Sequence, residues 1–150
     1  MRNLRLSIGV FMLIFSGNIL LAQDLNREEV PANILEHFDL EYAQASDVEW
    51  EMKGDRYKVE FEYDRQTDME IWYDANGNVV REKEEWKKSK LPDAVKNAIK
   101  EEYSDYKIDD VDKITEDGKV HFKVSLDSNR DEDMEVWIDE SGEVTESKRD

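Results

Sequence analysis

A duplicated segment is the feature that most restricts how this chain can fold. DMEIWYDANGNVV, at residues 68–80, returns as DMEVWIDESGEVT at residues 133–145. Upstream, VPANILEHFDLEY (residues 30–42) aligns with LPDAVKNAIKEEY (residues 91–103). Self-similarity of this kind indicates one structural unit that occurs twice and whose copies pack side by side.

Both copies begin with the pattern of a helix. Pro31 and Pro92 stand where a helix would start, because proline at the first helical position loses no hydrogen bond. Apolar residues at helical spacing follow each proline and predict one buried face per helix. These residues are Ile34, Leu35, Phe38 and Tyr42 in the first copy, and Val95, Ala98, Ile99 and Tyr103 in the second.

After each helix the pattern changes to a period of two. Val48, Trp50 and Met52 alternate with glutamates, and similar segments follow in both copies, although residues 110–116 alternate too weakly to assign their faces. Such alternation predicts antiparallel strands with one face on a core and the other in water. We predict an α+β fold of two repeats, residues 23–86 and 87–150. Each repeat has one helix and four antiparallel strands, and together they form one sheet of about eight strands with two helices on one face.

The first 22 residues have the pattern of a secretory signal peptide. Arg2 and Arg5 precede an apolar run at residues 6–21, which is followed by Ala22. The run is shorter than the ~20 residues of a membrane-spanning helix. A retained amphipathic anchor is the alternative, but the run has no polar face. We expect cleavage at or near Ala22, a periplasmic or secreted bacterial location, and no membrane insertion of the mature protein.

Charge and residue usage exclude several classes of function. The net charge of −17 at pH 7 repels nucleic acid and anionic membrane surfaces. The chain has no cysteine, which excludes disulfides and thiol chemistry. It has no Gly-x-Ser-x-Gly motif, and neither His37 nor His121 has a second histidine at metal-ligand spacing. We therefore predict no enzymatic activity, no cofactor and no nucleic-acid partner.

One acidic stretch is a candidate calcium site. Oxygen-bearing side chains alternate there as they do at the start of an EF-hand loop. However, Glu132 stands where that loop needs glycine, and Ile138 stands where it needs a bidentate glutamate. The pattern therefore also fits a solvated hairpin tip. The candidate ligands are Asp127, Asn129, Asp131 and Asp133.

The tryptophans of the duplicated hairpins are not explained by the fold. The period of two directs Ile71 and Tyr73 toward the core, which leaves Trp72 on the charged face, and Trp137 holds the equivalent position. Two interpretations are open: the rings lie flat over neighbouring lysine and glutamate stems, or they anchor a protein-binding surface. The candidate surface consists of Trp72, Trp137, Lys58, Glu60, Glu70, His121, Lys123 and Glu135.

The repeated unit resembles the PepSY-like family of exported bacterial proteins. The resemblance is carried by the Val-Pro and Leu-Pro openings at residues 30–31 and 91–92, the strands VEWEM and YKVEFEY, and the closing EIWYDANGNV and EVWIDESGEV. The tandem form is similar to the β-lactamase-inhibitory protein fold. The resemblance implies a binding role, because PepSY domains accompany secreted peptidases and the tandem fold holds an enzyme against a concave sheet. No residue-level inhibitory motif carries over.

These observations together predict a monomeric exported module that binds another exported protein. Inhibition or regulation of a secreted or periplasmic enzyme, such as a peptidase, is the leading hypothesis. A calcium- or small-ligand-responsive periplasmic protein and a purely structural envelope component are the alternatives.

Overall fold

The computed structural model of the protein describes residues 23–149, so the predicted signal peptide lies outside the described residues. Two α-helices are present in this part of the chain, α1 (Ala32–Glu41) and α2 (Asp93–Glu102). Neither is long and apolar enough to cross a membrane. The strands are β1 (Gln23–Leu25), β2 (Ser46–Lys53), β3 (Arg56–Tyr63), β4 (Thr67–Tyr73), β5 (Val79–Glu85), β6 (Lys107–Glu116), β7 (Lys119–Asp127), β8 (Met134–Asp139) and β9 (Val144–Arg149).

The nine strands form a single antiparallel sheet in chain order. This arrangement confirms the predicted α+β class and the tandem order of one helix followed by four strands. The sheet has one strand more than the eight or so expected, because Gln23–Leu25 pairs with the outer side of β2. Three residues are too short to give an alternating pattern, so the sequence contains no signal for β1.

The predicted apolar helix positions face two separate hydrophobic clusters, one in each repeat. The buried residues of α1 are Ile34 and Phe38, and those of α2 are Val95 and Ile99. Each set packs against alternate residues of the strands that follow it in the chain. The first cluster contains Val30, Ile34, Phe38, Trp50, Val59, Phe61, Met69, Ile71 and Tyr73. The second contains Leu91, Val95, Ile99, Val111, Phe122, Val124, Leu126, Val136 and Ile138.

Antiparallel pairing between β5 and β6 joins the two repeats along a seam. Arg81, Lys83 and Glu85 pair there with Glu116, Ile114 and Asp112. None of the paired residues on either strand belongs to one of the two hydrophobic clusters. The seam therefore lies between the two clusters, and its backbone ladder carries mostly charged side chains together with the buried Ile114.

The turn that follows β4, and its equivalent after β8, packs against the start of the helix of its own repeat. Asp74 Oδ1 accepts hydrogen bonds from the backbone N–H groups of Asn76 and Asn78, both at 2.9 Å. Asn33 Nδ2 donates to Asn76 O at 2.8 Å, which ties this turn to α1. Gly77 adopts a φ of +87° within the turn, a conformation that glycine adopts without steric cost.

In the second repeat, Asp139 Oδ1 accepts the backbone N–H groups of Ser141 and Glu143. Gly142 has a φ of +91°, and a Cβ there would lie 2.7 Å from the carbonyl oxygen of Ala94 in α2. The Asp-x-x-Gly sequence that recurs in both hairpins therefore lets each turn approach its helix closely.

Register shifts interrupt simple alternation in four strand pairs, including those between Trp72 and Tyr73 in the β4–β5 pairing and between Trp137 and Ile138 in the β8–β9 pairing. In β2 the register shifts between Ser46 and Glu49, and Asp47 has a φ of +52°. This bulge leaves Val48 36% exposed, so its predicted place on the core side is wrong. In β6, which was weak in the sequence, the register shifts between Ile108 and Asp110. These bulges add residues that a strict period of two does not accommodate.

Candidate functional site

The predicted surface residues lie on the side of the sheet that does not carry the clustered apolar residues of β3, β4, β7 and β8. Residues paired across an antiparallel ladder project to the same face, and side chains alternate along each strand. The pairs Lys58–Trp72, Lys83–Ile114 and Lys123–Trp137 therefore follow one face from repeat to repeat. We call this side the polar face, and its central members are Lys58, Trp72, Lys83, Ile114, Lys123 and Trp137.

Lys58 is a charged side chain on the first-repeat part of the polar face. It is only 3% exposed, and its Nζ lies 2.7 Å from both Glu51 Oε2 and Glu60 Oε1. Burial alone would lower the pKa of Lys58, but the hydrogen bonds with Glu51 and Glu60 outweigh it and raise the pKa. The same hydrogen bonds with Lys58 lower the pKa values of Glu51 and Glu60. The network is therefore charged at neutral pH.

Trp72 lies directly across from Lys58 in the ladder. Its indole N–H donates to Glu70 Oε1, and Lys53 Nζ stands 5.7 Å from the ring centroid, a cation–π distance. Glu70 is paired with Glu60 across the strands. Like charges at such a position repel each other, and the hydrogen bonds from Trp72 and Lys58 offset that repulsion.

The second group lies on β7 and β8. Lys123 forms an ion pair with Glu135 and stands 5.8 Å from the Trp137 ring centroid. Lys148 on β9 covers the same ring at 4.5 Å. His121, two residues before Lys123 along β7, pairs with Asp139. Both tryptophans therefore have lysine neighbours, as the interpretation of rings over charged stems predicts, while both rings remain partly accessible.

The eight candidate residues form two groups rather than one. Lys58, Glu60, Glu70 and Trp72 meet on β3 and β4, whereas the second-repeat residues meet on β7 and β8. Strands β5 and β6 lie between the groups. Four strand spacings separate Trp72 from Trp137 across the sheet, which is about 19 Å at ~4.8 Å per strand. A ligand that touches both rings must therefore be of macromolecular size.

Sequence reasoning missed the residue at the middle of the polar face. Ile114 is 4% exposed, yet it belongs to neither hydrophobic cluster. It lies between Lys83 on β5 and His121 on β7. Val111, three residues earlier, is buried in the second cluster. Because side chains alternate along a strand, the spacing of three between these apolar residues was the signal that they face opposite sides.

An acidic depression of about 390 Å³ lies at the first-repeat end of the sheet. Phe61 and Met69 contribute to its wall, and its one basic side chain is Lys83. Its acidic lining residues are Asp47, Glu60, Glu62, Asp68 and Glu70. The depression therefore carries a strongly negative potential close to Trp72.

The candidate calcium residues do not form a ligand set. Asp133 Oδ1 accepts the backbone N–H of Ser128 at 2.9 Å, so this carboxylate closes the loop between β7 and β8. Burial and repulsion from Asp109 and Asp133 raise the pKa of Asp127. Across residues 23–149, no three acidic, histidine or cysteine side chains are grouped in a way that could hold a metal ion.

A protein family described as "Putative beta-lactamase-inhibitor-like, PepSY-like" matches the chain twice, over residues 20–81 and 65–146. The chain belongs to this PepSY-like family. The double match agrees with the tandem helix-and-sheet units of the structure. No curated protein matches the chain.

Solved structures share the PepSY-like tandem fold. A BLIP-like protein from Bacteroides fragilis NCTC 9343 has 25% identity and a TM-score of 0.65, over 79% of this chain and 85% of that chain. A DUF2874 family protein from Bacteroides uniformis ATCC 8492 has 21% identity and a TM-score of 0.69, over 80% and 89%. A protein described as a putative periplasmic protein from Bacteroides eggerthii DSM 20697 has 18% identity and a TM-score of 0.70, over 80% and 88%.

Proposed function

We propose that the protein is an exported, non-enzymatic binding module whose polar face engages another protein. The observation that carries this proposal is the pair of partly accessible tryptophans, Trp72 and Trp137, on a face that also buries Ile114. Tryptophan is enriched at the energetic centres of protein interfaces, and charged residues commonly surround such centres as a rim. The eight candidate residues, in two groups on this face, form that arrangement.

The proposal requires the polar face to be free of the helices. In the ladder Ile71 pairs with Glu82, Glu82 with Thr115, and Thr115 with Val120. Residues paired in this way project to one side, which supports placing α1 and α2 on the same face of the sheet. The opposite face would then be the open one.

Family membership supports the same role. The PepSY-like family description refers to a β-lactamase inhibitor, and one structural neighbour is described as BLIP-like. Inhibition or regulation of an exported enzyme, such as a peptidase, is the specific form of binding that we propose. A periplasmic or secreted location accords with the signal-like first 22 residues and with the neighbour described as periplasmic. The repeat boundary that we propose lies between Trp86 and Lys87.

The charge of the face indicates the chemistry of the partner. The acidic depression beside Trp72 combines five carboxylates with a single lysine, and the whole chain carries a net charge of −17. Complementary potentials raise association rates and exclude partners of like charge. We expect the partner to present a basic surface and to bind less rapidly at high salt.

Capture from an envelope extract tests the assignment of the face. The protein serves as bait alongside the double variant Trp72→Ala/Trp137→Ala, and each captured protein is then purified and its affinity is measured. Trp86→Ala is the matched control, because Trp86 packs against Phe122 in the second cluster and also has lysine neighbours. We expect the double variant to weaken binding at least tenfold, which corresponds to about 1.4 kcal/mol, and the control to retain it. Equal affinities of the double variant and the control would remove the polar face from the proposal.

A further inference from the structure

The two outer edges of the sheet are protected from further strand pairing in different ways. At one edge β1 has only three residues, and the uncovered part of β2 contains a bulge. At the other edge β9 has six residues; its pairing with β8 has a register shift at Thr145 and is regular from Glu146 to Arg149. Short strands and bulges prevent a sheet from adding strands, whereas a regular edge depends on its charges for protection.

The charges on β9 are complementary to those of a second β9. Glu146 and Lys148 project to the polar face, where they form an ion pair of 2.9 Å along the strand with both side chains about half exposed. A two-fold axis normal to the sheet requires one residue to lie opposite its own copy. With Ser147 at that axis, each Glu146 lies opposite the other chain's Lys148. With Glu146 or Lys148 at the axis, like charges would meet.

We propose that two copies of this chain associate through antiparallel pairing of their β9 strands, with Ser147 on the two-fold axis. The pairing continues the sheet and both polar faces from one copy into the other. Three strand spacings would then separate the two Trp137 rings, about 14 Å across the strands at ~4.8 Å per strand, with an offset of two residues along them. That distance is shorter than the one between Trp72 and Trp137 within a chain. The inference does not depend on the proposed function.

The small contact makes the association weak. A single strand-to-strand edge buries less than the ~1,200 Å² of a stable interface, and the net charge of −17 opposes the approach of two copies. Salt at ~0.15 M screens this repulsion at distances beyond about 8 Å, and it weakens the attraction between charged side chains in contact to a smaller extent. The expected state is a monomer in dilute solution, as the sequence predicts, and a dimer when the protein is concentrated.

A cysteine at the axis tests the register directly, because the natural chain has no cysteine. Opposed residues in an antiparallel pair have Cα atoms about 4.5–5.5 Å apart, within the roughly 4.4–6.8 Å range that a disulfide spans. Ser147→Cys should therefore give a disulfide-linked dimer on mild oxidation. Thr145→Cys is the matched control, since its copies would be offset by about 13 Å along the strands. Equal cross-linking of both variants would refute the register, and the absence of cross-linking in Ser147→Cys would refute the pairing.

Charge reversal supplies an independent test by sedimentation velocity from about 10 µM to about 1 mM protein. Lys148→Glu and Glu146→Lys each place like charges opposite each other, so each variant should remain monomeric alone. An equal mixture of the two restores opposite charges and should form a heterodimer. Lys119→Glu, at the exposed start of β7, makes the same change in net charge as Lys148→Glu and should associate as the natural chain does. A natural chain that stays monomeric throughout, or a mixture that does not associate, would overturn the proposal.

Discussion

Gly142→Ala measures what the close approach between a hairpin turn and a helix contributes to stability. Alanine at the glycine's φ of +91° is strained, which costs about 1–3 kcal/mol. Its Cβ would also lie 2.7 Å from the oxygen and 3.0 Å from the carbonyl carbon of Ala94. These atoms belong to the backbone and cannot rotate away, so α2 must shift, and such overpacking costs roughly 1–3 kcal/mol more. We expect a total loss of about 2–6 kcal/mol in the free energy of unfolding.

Gly118→Ala is the matched control for this prediction. Gly118 has a similar φ of +73°, but nothing lies within 4 Å of the position that its Cβ would take. Its substitution by alanine therefore measures the cost of the backbone conformation alone, without a steric contact, and should lower the free energy of unfolding by about 1–2 kcal/mol. Gly77→Ala should fall between the two, because its nearest obstacle is the movable side chain of Asn33.

Urea unfolding followed by tryptophan fluorescence provides the free energies, since the chain has four tryptophans. Each kcal/mol should also lower Tm by about 3–4 °C in a domain of this size. If Gly142→Ala and Gly118→Ala differ by less than about 0.5 kcal/mol, the contact with Ala94 does not contribute and the reasoning fails. A second check uses Asn33→Ala in the Gly77→Ala background, which should recover stability by removing the obstacle.

Three further predictions concern charged groups. Burial and repulsion from Glu84 raise the pKa of Glu82 above its value in the unfolded chain, which is about 4.3. The folded state therefore loses stability as the pH rises from about 4.3 through the pKa of Glu82 in the folded protein. Glu82→Gln should therefore be slightly more stable than the natural chain at pH 7, by less than about 1 kcal/mol, with the difference vanishing below about pH 4 in urea melts; a difference constant with pH would contradict this cause. Lys58→Met should lower the free energy of unfolding by about 2 kcal/mol more than Lys123→Met, at the equivalent position of the second repeat, because Lys58 is more deeply buried and has two carboxylate partners. Equal losses of stability in the two variants would argue against the ion-pair network of Lys58. Millimolar calcium should leave Tm at its value in chelator, and a rise in Tm that substitutions at residues 127–133 remove would restore the metal hypothesis.

Most of the fold could be predicted because local patterns repeat in both copies. The buried helix faces depend on near neighbours in the chain, and so do the hairpin turns that contain Gly77 and Gly142. The periodicity of these neighbours is visible in the sequence, as around Ile34 and Val95. β1 escaped prediction because it exists only through pairing with β2. Long-range pairing of this kind leaves no local periodicity in so short a segment.

The polar face was predicted in its parts but not in its arrangement. Alternation alone places Trp72 and Trp137 on the face away from the core. It does not reveal that β5 and β6 separate them, or that Ile114 lies between the two groups. That information depends on the register of the seam, and the register of paired strands is set by contacts between the repeats.

The charged seam between β5 and β6 also affects how the molecule loses its structure. The buried residues of each hydrophobic cluster come from one repeat, and Trp86 at the end of the first repeat packs against Phe122 of the second cluster. Opening one repeat therefore exposes its own core and breaks the shared ladder, while most contacts of the other core remain. Cooperative units of this kind open separately in native-state hydrogen exchange. We therefore expect the seam to act as a boundary between foldons, with amide protection on its two sides giving two distinct free energies of opening.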